Sequence, residues 1–115
     1  MPHFVIDCSK NVLEVAKPKE LMKKVYQTAT ESELFDPGDI KVRINPFDQY
    51  VLGASKNAFI HIFANIMEGR TDLQKQQLST AIVAELKAML PDVPIISMNV
   101  RDFDKAGYCN KSMLS

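Results

Sequence analysis

The sequence predicts an α+β fold: two successive β-α-β units forming a four-stranded core sheet with two helices on one face. Three observations lead there. Apolar, β-branched stretches recur at 4–8, 40–52, 58–67 and 93–103. Within each half, one intervening segment carries apolar residues at spacings of three and four, the period of a helix packed on one side. The order strand, helix, strand then repeats, so the 115-residue chain reads as one domain, 1–115, with related halves 2–52 and 58–103.

Each element has its own signal. Phe4-Val5-Ile6-Asp7-Cys8 reads as a buried strand starting near the amino terminus. After a polar connection at 9–17, Pro18 opens a helix, as proline does at a first turn. Leu21, Met22, Val25, Tyr26 and Ala29 form its apolar stripe, to about Ser32. Asp36-Pro37-Gly38-Asp39 is a turn cluster. The stretch 40–52 is a strand or hairpin interrupted around Asn45-Pro46, and 53–57 is a second polar connection. A long strand follows at 58–67, then the turn Glu68-Gly69-Arg70. Thr71 is a plausible N-cap, with Gln74 three residues on to complete a capping box. Leu78, Ile82, Leu86 and Met89 mark the second helix's buried stripe, and Pro91 ends it. The last strand spans 93–103, and a tail from Asp104 contains Gly107 and Tyr108.

A strand joined to the next through a helix should pair with it in parallel, with a right-handed crossover. Both helices then cover one face of the sheet and leave the other bare. The strands read as apolar on both faces, so the bare face predicts a closed symmetric oligomer.

Composition narrows the function. With 14 basic and 14 acidic side chains the net charge is zero, which argues against a general nucleic-acid binder. Cys8 and Cys109 are too few for a disulfide framework and lack metal-ligand spacing, so they read as reduced thiols. The start lacks the basic and long apolar stretches of a signal peptide, and no run approaches the ~20 residues of a membrane span. The expectation is a soluble, cytoplasmic protein.

Few residues can carry chemistry. Pro2 follows Met1 directly, and a small second residue permits removal of the initiator methionine. The chain would then begin with a secondary amine fixed at the start of a buried strand. A free terminal amine titrates near ~8, and burial or neighbouring cations would lower that, leaving a neutral base. Arg70, beside backbone N–H groups at a helix start, could bind a carboxylate through two parallel hydrogen bonds, or be simply an exposed arginine near a turn. Lys41 and Arg43 fall on one face of a strand, with Ile40, Val42 and Ile44 on the other, and suit an anionic ligand or a solvated face equally. His3 and His61 have no ligand-spaced companion and read as core or interface histidines; no metal is expected. There is no glycine-rich phosphate loop and no Ser-His-Asp or Cys-His signature.

Pro2-His3-Phe4 followed by Asp7-Cys8-Ser9-Lys10-Asn11 closely resembles the 5-carboxymethyl-2-hydroxymuconate Δ-isomerases of the tautomerase superfamily. The second half, Phe59-Ile60-His61-Ile62 through Glu68-Gly69-Arg70-Thr71-Asp72-Leu73-Gln74-Lys75, is also similar to the short 4-oxalocrotonate tautomerases. The resemblance implies a tautomerase fold assembled as a homotrimer, each chain equalling two fused short subunits. It implies a cofactor-free 1,3-proton shift on an unsaturated keto or 2-hydroxymuconate-type carboxylic acid, in the catabolism of aromatic compounds. By position, Pro2 would move the proton, Arg70 would hold a carboxylate, Lys41 would be the second cation, and Tyr108 would fall near a pocket-walling aromatic residue.

Two departures stand out. Lys41 replaces the arginine usual in the family and cannot reproduce the guanidinium fork. Ala58 occupies the second half's equivalent of the proline position, so one active site per chain is expected. The alternative is a non-catalytic oligomeric binding module of the same superfamily.

Overall fold

The computed structural model describes residues 1–114. Strands β1 (His3–Ser9), β2 (Lys41–Phe47), β3 (Phe59–Met67) and β4 (Ile95–Phe103) form one sheet in the order β2-β1-β3-β4. Helices α1 (Pro18–Glu31) and α2 (Asp72–Met89) form the two crossovers. Pairing is parallel within each half, β1 with β2 and β3 with β4, as the crossovers require. The halves join through the antiparallel central pair β1–β3, with Ile6 opposite Ile62.

Alternation along the strands sets the layers. Phe4, Ile6 and Cys8 of β1 and Ile60, Ile62, Ala64 and Ile66 of β3 are fully buried on the face beneath the helices. They meet Leu21, Val25 and Ala29 of α1 and Leu78, Ile82 and Leu86 of α2 in one cluster. Burying each large aliphatic side chain is worth roughly 1.5–3 kcal/mol, so this stripe-to-sheet contact places the helices. α1 lies toward β2, α2 lies toward β4, and the two helices touch each other.

The other face corrects the expectation of strands apolar on both sides. His3, Asp7, Lys41, Arg43, Asn45, His61, Asn65, Ser97, Asn99 and Arg101 alternate there with Val5, Phe59 and Phe63. Many of these polar groups pair across strands. His61 contacts Ser97 at 2.7 Å and Asn99 at 2.6 Å, Arg43 contacts His3 at 3.1 Å, and the Arg101 guanidinium lies 4.1 Å over the Phe63 ring. The long apolar runs of the sequence hid this because the polar residues stand one at a time.

Element ends also shift. β2 stops at Phe47, so the strand expected to 52 is shorter; Pro46 is accommodated because β2 is an edge strand. β4 starts at Ile95, two residues after the expected Val93. The connection at 9–17 contains a short 3-10 turn, Lys10–Glu14. The α2 start is as read: the Thr71 hydroxyl accepts from the Gln74 N–H, the Gln74 side chain accepts from the Thr71 N–H, and the helix ends before Pro91.

Candidate active site

Pro2 precedes β1 and shares the core side of the sheet with Phe4, and its side chain is fully buried. Its carbonyl accepts from the Lys41 N–H at 3.1 Å, so the chain start is held before the strand begins. In front of Pro2 is a cavity of about 230 Å³, room for a small molecule but not a polymer. Leu34, Phe35, Asp39, Met67 and Arg70 wall it, with Met1 on its rim.

Arg70 reaches this cavity from the turn between β3 and α2. Gly69 there has φ +123°, a backbone region that side chains rarely adopt, and this turns the chain sharply ahead of the capped helix. The half-buried guanidinium donates through Nη2 to the Leu34 carbonyl at 2.6 Å and lies 5.0 Å over the Phe35 ring. A longer contact of 3.5 Å runs from Nη1 to the Met67 carbonyl. Two residues 68 positions apart in sequence thus border one small cavity.

Electrostatics at the terminus favour a neutral amine. The Met1 ammonium has its pKa lowered, first by burial and further by the Lys41 and Arg70 charges. Asp39 opposes this, with its carboxylate 3.6 Å from the terminal nitrogen. Lys41 does not wall the Pro2 cavity; it stands on the open face of β2 and donates through Nζ to the Asp39 carbonyl at 2.6 Å. Its charge nonetheless acts on the terminus.

Arg43 and Tyr108 lie elsewhere. They border a shallower groove of about 570 Å³ on the open face, with His3, Asn65, Phe103 and Asp104. His3 has its pKa lowered by burial and by Arg43 and Lys41. Tyr108 stacks on Phe103, ring centres 5.3 Å apart, and its hydroxyl lies 2.7 Å from the Met1 sulfur. The Met1 side chain therefore stands between cavity and groove.

The sequence reading missed Asp39, taken as part of a turn cluster, and Phe35, which had no signal beyond its apolar character. Asn110, within reach of the Met1 sulfur at 3.8 Å, had none either. Among the described residues no cluster of three or more His, Cys, Asp or Glu side chains could hold a metal ion. No described helix is long and apolar enough to cross a membrane.

Comparison with known proteins identifies a family from sequence and a shared fold from structure. The family model for 5-carboxymethyl-2-hydroxymuconate isomerase matches residues 2–114. An Escherichia coli protein described as 5-carboxymethyl-2-hydroxymuconate Delta-isomerase is 29% identical over 89 residues, 76% of this chain and 71% of that protein. The crystal structure of a 5-carboxymethyl-2-hydroxymuconate isomerase from Deinococcus radiodurans R1 superposes with a TM-score of 0.82 at 24% identity, covering 96% of this chain and 88% of that one. A structure described as a fused 4-OT wild type symmetric trimer superposes with a TM-score of 0.80 at 20% identity, covering 98% and 94%.

Proposed function

The chain belongs to the 5-carboxymethyl-2-hydroxymuconate isomerase family, and on that premise we propose that this isomerase works without a cofactor, using the Pro2 amine as its base. The substrate is an unsaturated keto or 2-hydroxymuconate-type carboxylic acid. Removal of Met1 turns the Pro2 nitrogen from a tertiary amide, which has no basicity, into a secondary amine. Its lone pair takes a proton from the enol hydroxyl or from carbon, becoming an ammonium, and the same proton is delivered two atoms along the conjugated system. Electrons only relocate among the π bonds, so no oxidant or metal enters the balance.

The observation that carries this reading is the shared cavity of Pro2 and Arg70, next to a chain terminus whose ammonium form is disfavoured. The Arg70 guanidinium keeps N–H groups beyond those bound to carbonyls, and these suit a carboxylate. There it would also draw electron density from the developing enolate. Lys41 acts as the second cation at a short distance, lowering the amine pKa, while Arg43 and Tyr108 meet the more distant part of the substrate. Free Cys8 and Cys109 support a reducing, cytoplasmic setting. A homotrimer is supported by the trimers among the structural neighbours and by the broad open sheet face with Phe59 and Phe63.

The test compares chains with and without Met1, verified by intact mass, on 2-hydroxymuconate and on phenylenolpyruvate. The processed chain should turn over at least one of them, and Pro2→Ala should lower kcat/KM by about 10²-fold. Equal turnover by the Met1-retaining chain refutes the base. No turnover of either acid by the processed chain would favour the non-catalytic binding module.

A further inference from the structure

The Met1 sulfur occupies a position that oxygen would fill better. It accepts from the Tyr108 hydroxyl at 2.7 Å and from Asn110 Nδ2 at 3.8 Å. A thioether is a weak acceptor, so two partly buried donors converge on a poor partner. Neither donor is free to turn away. The Tyr108 ring is held in its stack on Phe103. The Asn110 Oδ1 accepts from the Met113 N–H at 3.1 Å and the Ser112 hydroxyl at 2.8 Å. That fixes the amide orientation and leaves its NH2 side toward Met1 and the Tyr108 oxygen, 3.4 Å away.

We infer that Tyr108 Oη and Asn110 Nδ2 form a carboxylate-binding subsite that the Met1 side chain fills until it is removed. The inference rests on the proposed removal of Met1 and extends it: the subsite would take the acid group remote from the one held by Arg70. Loss of Met1 opens the Pro2 cavity toward the groove lined by His3, Arg43 and Asp104. Arg43, which contacts His3 at 3.1 Å, adds positive charge to that groove, and the two neutral donors fix where the acid is seated. The enzyme should accordingly prefer diacids to monoacids, and Met1 acts as a plug as well as a blocking group.

Muconate tests this without catalysis, because this diene diacid has no hydroxyl to tautomerise. Its Kd is measured by calorimetry on the processed chain, with benzoate as the single-carboxylate reference. Tyr108→Phe keeps the ring stack, and Asn110→Asp keeps the acceptor that caps Met113 and Ser112. Each should weaken muconate about tenfold relative to benzoate, the loss expected for a hydrogen bond to a charged group. A muconate-to-benzoate ratio within about twofold of the parent in Tyr108→Phe overturns the subsite, whatever Asn110→Asp does to the tail. Failure of the Pro2 base would appear separately, as turnover by the chain that keeps Met1.

Discussion

Arg70 is aimed by Phe35: the guanidinium lies 5.0 Å over that ring, and its Nη2 donates to the carbonyl of the preceding Leu34 at 2.6 Å. Phe35 is itself fixed edge-on against Phe4, ring centres 6.0 Å apart, beside the first strand. The chain that delivers the anion-binding cation is therefore tied to the chain that delivers the amine. Lysine at position 70 would keep the charge but lose the planar fork that stacks on the ring and bonds the carbonyl together. Arg70→Lys should lower kcat/KM by about 10²-fold in steady-state assays. A loss below about threefold would exclude the guanidinium from substrate contact.

Asp39 and Lys41 act on the Met1 ammonium in opposite directions, the first raising and the second lowering its pKa. The same two charges should act in the same senses on the Pro2 amine once Met1 is removed. A base must be neutral, so activity falls as pH drops through the amine pKa. Lys41→Met removes a cation and should move the acid limb of the kcat/KM profile to higher pH. Asp39→Asn removes an anion and should move it to lower pH. Shifts of roughly half to one pH unit are expected for charges near a partly exposed group. Limbs that move together, or in the reverse senses, would show that the titrating group is not this amine.

How far the sequence could be read followed from which forces are local. Thr71 with Gln74, Pro18 and Pro91 act within a few residues, so both helices could be placed from spacing alone. The expectation of strands apolar on both faces left open which residues of β1 and β3 are buried; the alternation in the structure decides it. The polar character of the open face was missed because His61, Ser97 and Asn99 meet only once the strands are in register. Pro2 and Arg70 were readable singly, but their shared cavity depends on the antiparallel β1–β3 pairing, which neither half encodes alone. Asp39, Phe35 and Asn110 act through tertiary proximity, and no periodicity marks them.

Gly69 is required by backbone conformation and not by space. Its φ is +123°, yet a Cβ placed there meets nothing within 4 Å. Gly69→Ala should then cost about 1–3 kcal/mol, read as a lower urea midpoint, from strain alone. Relaxation of that strain would rotate the turn that points Arg70, so KM for the acid should rise in the same variant. A destabilised protein with unchanged KM would mean that the Leu34 and Phe35 contacts alone orient the guanidinium.

Cys8 should give the fold an alkaline limit. The thiol is fully buried on the core side of β1, and burial, aided by the Asp7 charge, pushes its pKa up to about 11 from 9.0. A group whose folded pKa is raised contributes stability that is complete below its unfolded value and is lost as pH climbs through the folded value. The window is therefore about pH 9 to 11, and a two-unit difference corresponds to roughly 2–3 kcal/mol over its full span. Cys8→Ala leaves a small cavity and should be less stable than the parent near neutral pH, by about 1 kcal/mol. It has no thiol to ionise, so its deficit should shrink and then reverse as urea midpoints are followed upward through the window. A deficit that stays constant across those pH values would mean that the thiolate is no worse accommodated in the fold than in the unfolded chain.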